Sequence, residues 1–276
     1  MDTLHCKYSR LKELLASYKS AAIAYSGGVD STFLLRTAAD VLGDKAFAVT
    51  ARSSSFPHRE MDEAEAFCRE NHILQVVCRT EELSIPGFRD NPPDRCYLCK
   101  RLIFETLREA ALNHGAAVLA EGSNTDDDGD YRPGRIALRE LGVASPLHEA
   151  GLSKAEIRAL SKELGLPTWS KPSAACLASR FAYGETITQE KLRMVDEAEA
   201  FLQSLGFGQL RVRIHGSIAR IEVLPEELGR FSDAGLRSEV YACLKALGFT
   251  YVTLDLAGYR VGSMNEILKP EEMKRA

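Results

Sequence analysis

The 276-residue chain contains no uncharged apolar run approaching the ~18 residues of a membrane span, so no transmembrane helix and no membrane partner are expected. Its opening residues, Met1 to Arg10, interrupt their apolar side chains with charges; no secretory signal is read there, and the expected location is the cytosol. The formal net charge is -4, so the chain lacks the overall basic excess that marks many nucleic-acid-binding proteins, and no nucleic-acid partner is expected from charge alone. It has no internal repeat, low-complexity tract or long flexible linker. Seven cysteines in a cytosolic chain do not read as a disulfide framework, which directs any cluster among them toward metal or sulfur chemistry. What the chain does have is 45% hydrophobic residues, ample for one large domain or a large and a small one.

A short apolar strand, Ala22-Ile23-Ala24-Tyr25, runs into Ser26-Gly27-Gly28-Val29-Asp30-Ser31 and then into a helical pattern. This is neither Gly-x-x-x-x-Gly-Lys-Ser/Thr nor Gly-x-Gly-x-x-Gly, so two common nucleotide motifs are excluded. Gly27 and Gly28 carry no Cβ and let backbone N–H groups approach an anion at the start of the following helix. Ser26 and Ser31 add hydroxyl donors, and Asp30 stands where a carboxylate holds the Mg²⁺ that accompanies ATP. The motif resembles the PP-loop of the ATP pyrophosphatases, and that resemblance implies cleavage of ATP between its α and β phosphates.

From residue 20 to about 170, short apolar runs alternate with helical periodicity. Strands are expected at 21–25, 46–50, 74–78 and 117–120, with a weaker candidate at 144–147. Helices are expected at 30–42, 59–71, 100–114 and 154–164, the last capped by Ser153. The fold class is therefore α/β, a parallel sheet with helices on both faces and ligands at the carboxyl ends of its strands. Two further strand ends fit that placement. Arg52 follows the second strand, where the PP-loop superfamily contacts adenosine, and Glu121–Asp127 follows the fourth. There Gly122 allows close approach, Asn124 can hydrogen-bond, and Asp126 or Asp127 can assist a metal. After about residue 180 a helix at 189–205 leads to the alternating runs Leu210–His215 and Ile218–Leu224, a hairpin turning at His215-Gly216-Ser217. Helices at 225–231 and 236–247 and a strand near 251–256 complete a small α+β domain, giving an expected division into 1–180 and 181–276.

Cysteine forms the second constellation. Cys96 and Cys99, three apart, fall on one side of a helical turn, where two thiolates can grip one metal or cluster. If the fold brings Cys176 beside them, three thiolates can ligate three irons of a 4Fe-4S cluster and leave the fourth open. Zinc is the alternative, although a four-cysteine site needs a fourth ligand and no second Cys-x-x-Cys is present. A redox Cys-x-x-Cys fits less well, because its thioredoxin-like setting is missing. Cys68, Cys78 and Cys243 occupy apolar positions and read as core; Cys6 has no evident partner.

Taken together, Ser26–Ser31, Glu121–Asp127, Tyr131–Gly134, Lys171–Arg180 with Phe181-x-Tyr183-Gly184, Arg211-Val212-Arg213 and Ala219-Arg220-Ile221-Glu222 resemble the LarE-type ATP-dependent sulfur transferases. The resemblance spans the chain. It implies a small-molecule nucleotide substrate, pyridinium biscarboxylic acid mononucleotide, whose carboxylates are adenylated and converted to thiocarboxylates on the way to the nickel-pincer cofactor of lactate racemase. Both carboxylate and phosphate are anionic, so Arg211 and Arg213, alternating onto one face of a strand, can form a clamp that Arg180 also reaches. Glu222 is a candidate substrate contact, while Glu199 receives no role. In the best-known form of the family the cysteine matching Cys176 gives up its own sulfur. Cys96 and Cys99 depart from that pattern and resemble a three-cysteine variant, for which the resemblance implies a 4Fe-4S cluster supplied by sulfide or another sulfur donor. It also implies a homo-oligomer, of which a hexamer is the form the family suggests. Two other enzyme classes use a related loop. A tRNA thiolase would need an RNA-binding surface, and an amide-forming synthetase of the NAD or GMP type would leave three cysteines unexplained.

Overall fold

The computed structural model describes residues 3–128, 133–172, 175–260 and 262–268. The first element is α1 (Thr3–Ser17), which the sequence reading did not anticipate because charges separate its apolar residues. Leu4, Tyr8, Leu11 and Leu15 nevertheless fall on one helical face, with Leu11 and Leu15 fully buried and Tyr8 against the ring of Phe33 at 5.7 Å.

The main sheet is built from β1 (Ala21–Ala24), β2 (Ala46–Arg52), β3 (Gln75–Arg79) and β4 (Val118–Ala120), all parallel, in the order β3-β2-β1-β4. Between them run α2 (Val29–Leu42), α3 (His58–Glu70) and α4 (Arg95–Asn113). Register pairs Ala21 with Ala46 on one side and with Val118 on the other. Alternate residues of β1 and β2 therefore enter different cores. Ala21, Ile23 and Ala48 pack with α1 and α2, whereas Ala22, Phe47 and Val49 pack with Ile103, Phe104 and Leu107 of α4. The parallel sheet covered on two faces is the expected class.

Past β4 come α5 (Gly134–Glu140), the single turn α6 (Pro146–Glu149) and α7 (Lys154–Glu163). The weak strand candidate at 144–147 reduces to one bridge, Ala144 with Ala120, because Pro146 has no N–H to continue a ladder and starts a helical turn instead. Ser153 caps α7 as expected, in a reciprocal box with Glu156. Helix α4 begins at Arg95, five residues earlier than expected, which places Cys96 in its first turn and Cys99 at the start of its second.

The remainder folds around α8 (Gln189–Ser204), β5 (Leu210–His215), β6 (Ile218–Val223), α9 (Ala234–Ala246) and β7 (Tyr251–Leu254). Strands β5 and β6 are antiparallel and β7 joins β6 in parallel. Residues 225–232 form a 3-10 helix. This second core also takes in Leu83, Phe88 and Leu177 from before residue 180 and Phe181 just after it, so it crosses the expected boundary there. Among the described residues no helix is long and apolar enough to cross a membrane.

Candidate active site

The strand order reverses between β1 and β4, and the loops leaving their carboxyl ends meet there. In the first loop Gly27 has φ +73°, and a Cβ on it would lie 3.1 Å from Ala64 Cβ and 3.2 Å from the Glu60 carbonyl. Only glycine meets both demands. Gly28 is the extended N-cap of α2 and supplies no side chain to the first turn, whose N–H groups are left for another acceptor. The hydroxyls of Ser26 and Ser31 are 3.1 Å apart, and Ser31 Oγ also donates to the Gly28 carbonyl at 3.2 Å.

Asp30 sits at the junction. Gly122, from the loop after β4, approaches so closely that a Cβ there would lie 3.2 Å from Asp30 Cβ. One Asp30 oxygen is hydrogen-bonded to Lys154 Nζ from the start of α7; the other, Oδ1, is buried without a hydrogen-bond partner. Burial pushes the Asp30 carboxyl above its ordinary range, against the opposing pull of Lys154, and nearby Asp127 adds to the rise. A buried carboxylate with an unused oxygen, already attracting one cation, fits the donor chemistry of Mg²⁺. Lys154 escaped the sequence reading; its only signal was its place one residue after a helix cap.

The other expected nucleotide contacts are more locally engaged. Asn124 Oδ1 accepts from Asp126 N at 3.0 Å, while its own N–H donates to Asp127 Oδ2 at 2.9 Å, making it the cap of a short turn. Arg52 is partly exposed and pairs with Glu65 at 3.0 Å and Asp62 at 3.7 Å on α3. Tyr131 and Arg132 of the Tyr131–Gly134 motif lie outside the described residues.

A cavity of about 590 Å³ extends from Tyr25 and Gly27 between α3 and α8 to Arg180, Glu199 and Arg211. Lys171, also missed as an individual residue, closes one wall. Its ammonium lies 2.6 Å from Glu60, 2.8 Å from Glu63 and 3.2 Å from the Gly27 carbonyl, joining the phosphate loop to the segment that carries Cys176.

The arginines expected as a clamp have distinct surroundings. Arg180 is buried and forms a two-bonded pair with Glu199, at 2.8 and 2.7 Å, and donates to the carbonyls of Ala175 and Cys176. Arg213 pairs with fully buried Glu222 at 3.0 and 2.9 Å, which also accepts from Arg220 at 2.8 Å. Glu222 is thus the counter-ion of two arginines, and Glu199, for which the sequence suggested no role, is that of a third. Arg211 lines the cavity, lies over the Tyr259 ring at 5.3 Å and donates to the Leu210 carbonyl at 2.6 Å. Burial, then repulsion from Arg180, lowers its pKa to about 10.

The three thiols are brought into one setting. Cys96 and Cys99 occupy the first two turns of α4 and Cys176 precedes the short turn Leu177–Arg180. Burial holds the Cys99 thiol well above its ordinary pKa, with additions from Cys176, Glu82 and Cys96; burial likewise raises Cys176, opposed by Arg95 and Arg180. Arg95 Nη2 lies 3.7 Å from Cys96 Sγ. The thiols act on one another electrostatically, but among the described residues no group of three or more His, Cys, Asp or Glu is placed to hold a metal ion, so this geometry does not meet the expectation of a 4Fe-4S site. Cys68 is buried, with burial raising its pKa to about 12; Cys78 and Cys243 are half-buried and Cys6 is exposed.

No family model matches the chain. It is 39% identical over 274 residues to the pyridinium-3,5-bisthiocarboxylic acid mononucleotide synthase of Lactiplantibacillus plantarum, covering 99% of each chain. It is 44% identical over 265 residues to an uncharacterised protein of Synechocystis, covering 96% of this chain and 99% of that one. A more distant similarity, 29% identity over 201 residues, links it to one of the subunits of the glutamine-hydrolysing GMP synthase of Methanocaldococcus jannaschii, covering 68% of this chain and 64% of that relative.

Proposed function

The chain belongs to the family of the pyridinium-3,5-bisthiocarboxylic acid mononucleotide synthase, a PP-loop enzyme family, and from that membership we propose that it is an ATP-dependent sulfur transferase of nickel-pincer cofactor biosynthesis. Its substrate is pyridinium biscarboxylic acid mononucleotide. The observation that carries this reading is one cavity reaching from the phosphate loop to buried arginines, flanked by a cysteine-bearing segment tied to that loop through Lys171.

A carboxylate resists substitution at its carbon because oxide is a poor leaving group. An oxygen of the substrate carboxylate attacks the α-phosphorus of ATP, the bond to the β-phosphate oxygen breaks, and pyrophosphate departs. Sulfur then attacks the acyl carbon, the bond to the adenylate oxygen breaks, and AMP leaves with that oxygen. Gly27, Gly28, Ser26 and Ser31 bind the departing phosphates through N–H and hydroxyl donors. Asp30 would hold Mg²⁺, which supplies charge neutralisation at those phosphates, with Gly122, Asn124 and Arg52 bordering the nucleotide. Lys154 is poised to pass from Asp30 to a phosphate when the metal is bound. Arg211, at the cavity wall, receives an anionic group of the substrate; Arg180 and Arg213, balanced by Glu199 and Glu222, frame that wall.

For the sulfur step, Cys96, Cys99 and Cys176 would hold a 4Fe-4S cluster, which would supply sulfide-level sulfur drawn from an external donor. A division into a PP-loop unit, 1–180, which carries both the phosphate loop and the three cysteines, and a small unit, 181–276, which carries Arg211 and Arg213, is part of the same reading, as is a homo-oligomer. The test is anaerobic incubation with ATP, Mg²⁺, sulfide and the biscarboxylate nucleotide, followed by mass spectrometry. Pyrophosphate, AMP and a product with sulfur in place of carboxylate oxygen are expected. AMP with an amide, or sulfur found only in tRNA, would overturn the proposal.

A further inference from the structure

Arg95 is buried, only 5% exposed, at the start of α4. Its Nη1 donates to the Ala178 carbonyl at 3.0 Å and to Asn91 Oδ1, and its Nη2 reaches Cys96 Sγ. Each of these acceptors is uncharged or a thiol. The contrast with the neighbouring buried guanidiniums is direct. Arg180 has Glu199 and Arg213 has Glu222, each through two hydrogen bonds. Glu82, the buried carboxylate that acts on Cys99, accepts a hydrogen bond from Thr80 at 2.6 Å. A guanidinium stays charged at any working pH, and a buried charge is costly unless an opposite charge balances it.

The local fold goes to some length to keep Arg95 there. Asn91 is fully buried at φ +51°, the left-handed region, and its Nδ2 donates to the carbonyls of Phe181 and Ala182 at 3.2 and 2.6 Å. Asn91 thereby orients Arg95 and fastens the approach to α4 onto the stretch just after Cys176. Arg95 itself spans the same gap, from Cys96 to Ala178.

We propose that Arg95 is the resident counter-ion of the three-thiol centre, a positioning residue whose buried positive charge holds the anionic sulfur that Cys96, Cys99 and Cys176 gather around it. The ligand class is a small soft anion, hydrosulfide. This deepens the reading of the centre as the sulfur-loading site and rests on it. The charge, not only the hydrogen bonds, is the functional property.

The test compares wild type, Arg95→Gln and Arg95→Lys, each checked for a native thermal melt. Proteins are purified anaerobically, iron and acid-labile sulfide are measured, and sodium hydrosulfide is titrated by calorimetry. Where a cluster is present, its midpoint potential is also recorded. R95Q, which keeps donors but removes the charge, should bind hydrosulfide at least about tenfold more weakly, the loss expected for a charge-assisted contact, and carry a more negative potential. R95K should recover most of both. R95Q indistinguishable from wild type overturns the proposal, as does a folded R95K as defective as R95Q, because that would make the grip on Ala178 the whole role. If R95Q does not fold, a folded R95K that binds hydrosulfide within a few-fold of wild type supports the proposal, and one weakened about tenfold or more overturns it. If wild type holds no iron, the cluster reading fails, and the hydrosulfide titration of the iron-free protein still supports or overturns the role of Arg95. Wild type that binds neither iron nor hydrosulfide overturns both.

Discussion

The phosphate loop and the three-cysteine region are assembled in opposite ways. At the phosphate end, six consecutive residues, Ser26 to Ser31, carry both the backbone geometry and most of the polar groups, and one strand-to-helix turn presents them. The three-cysteine region, which we propose handles sulfur, draws on Asn91, Arg95, Cys96, Cys99 and Cys176, more than eighty residues apart at their extremes, with Asn91 and Arg95 buried by the surrounding core. A loop that relies on backbone N–H groups tolerates little change in its own residues but little depends on distant packing. A centre made of converging side chains depends on the packing of everything that brings them together.

Substitutions that strike one end and spare the other are the way to break this comparison. The largest effect is expected for Asp30→Asn. Loss of the carboxylate should lower pyrophosphate release about a hundredfold or more, measured in an ATP-dependent assay, with iron and sulfide content unchanged. Should iron binding fall in parallel with ATP cleavage, the two ends would not be separable. Next comes Glu222→Gln, which leaves Arg213 and Arg220 without the carboxylate they share in a fully buried position. Breaking such a pair should cost about 3–5 kcal/mol, seen as a large drop in melting temperature. A melt within a degree or two of wild type would show that this arginine layer is held by other means.

Gly27→Ala should be milder for stability and severe for ATP. The φ of +73° and the 3.1 Å approach to Ala64 predict a loss of about 1–2 kcal/mol in denaturant unfolding together with weakened ATP binding. The smallest effect is expected for Glu156→Gln on α7, the helix that supplies Lys154. Burial raises the Glu156 carboxyl, but its hydrogen bonds from Lys7 and the Ser153 backbone outweigh that and hold it below its ordinary value of 4.5. A carboxyl depressed in the folded state stabilises above its unfolded pKa, and that contribution is lost as pH falls through the folded value. The variant should therefore be about 1 kcal/mol less stable at neutral pH, with the gap closing below pH 4.5 in parallel urea unfolding curves. A gap that persists into acid would point to lost packing rather than lost charge.

This contrast also explains what could be read from the sequence. The phosphate loop, the parallel sheet and the β5–β6 hairpin were legible because each is local: a glycine pair at a strand end, short apolar runs between helices, an alternation turning at Gly216. Ser153 announced its helix for the same reason. The Cys-x-x-Cys spacing was legible too, but the place of Cys176 relative to it depends on where Leu177 and Phe181 pack, in a core shared with Leu83 and Phe88 that both Cys99 and Cys176 border. The arginine layer was misjudged in emphasis rather than in location. Alternation along β5 placed Arg211 and Arg213 together, yet no periodicity reveals that Glu222 and Glu199 occupy the charges of Arg213 and Arg180. Lys154 and Lys171 carried little local pattern, because the partners that place them lie 124 and 144 residues away, and Arg95 reaches a carbonyl 83 residues away as well as nearby Asn91 and Cys96.

The central claim is that ATP cleavage at one end drives sulfur insertion at the other, repeatedly and without consuming the protein. The most direct measurement is the amount of thiocarboxylate nucleotide formed per chain under anaerobic conditions with excess ATP, Mg²⁺ and sulfide, followed by the intact mass of the recovered protein. Several products per chain and an unchanged protein mass are expected. At most one product per chain, with the protein lighter by one H₂S at Cys176, would contradict the claim and make Cys176 the sacrificial donor.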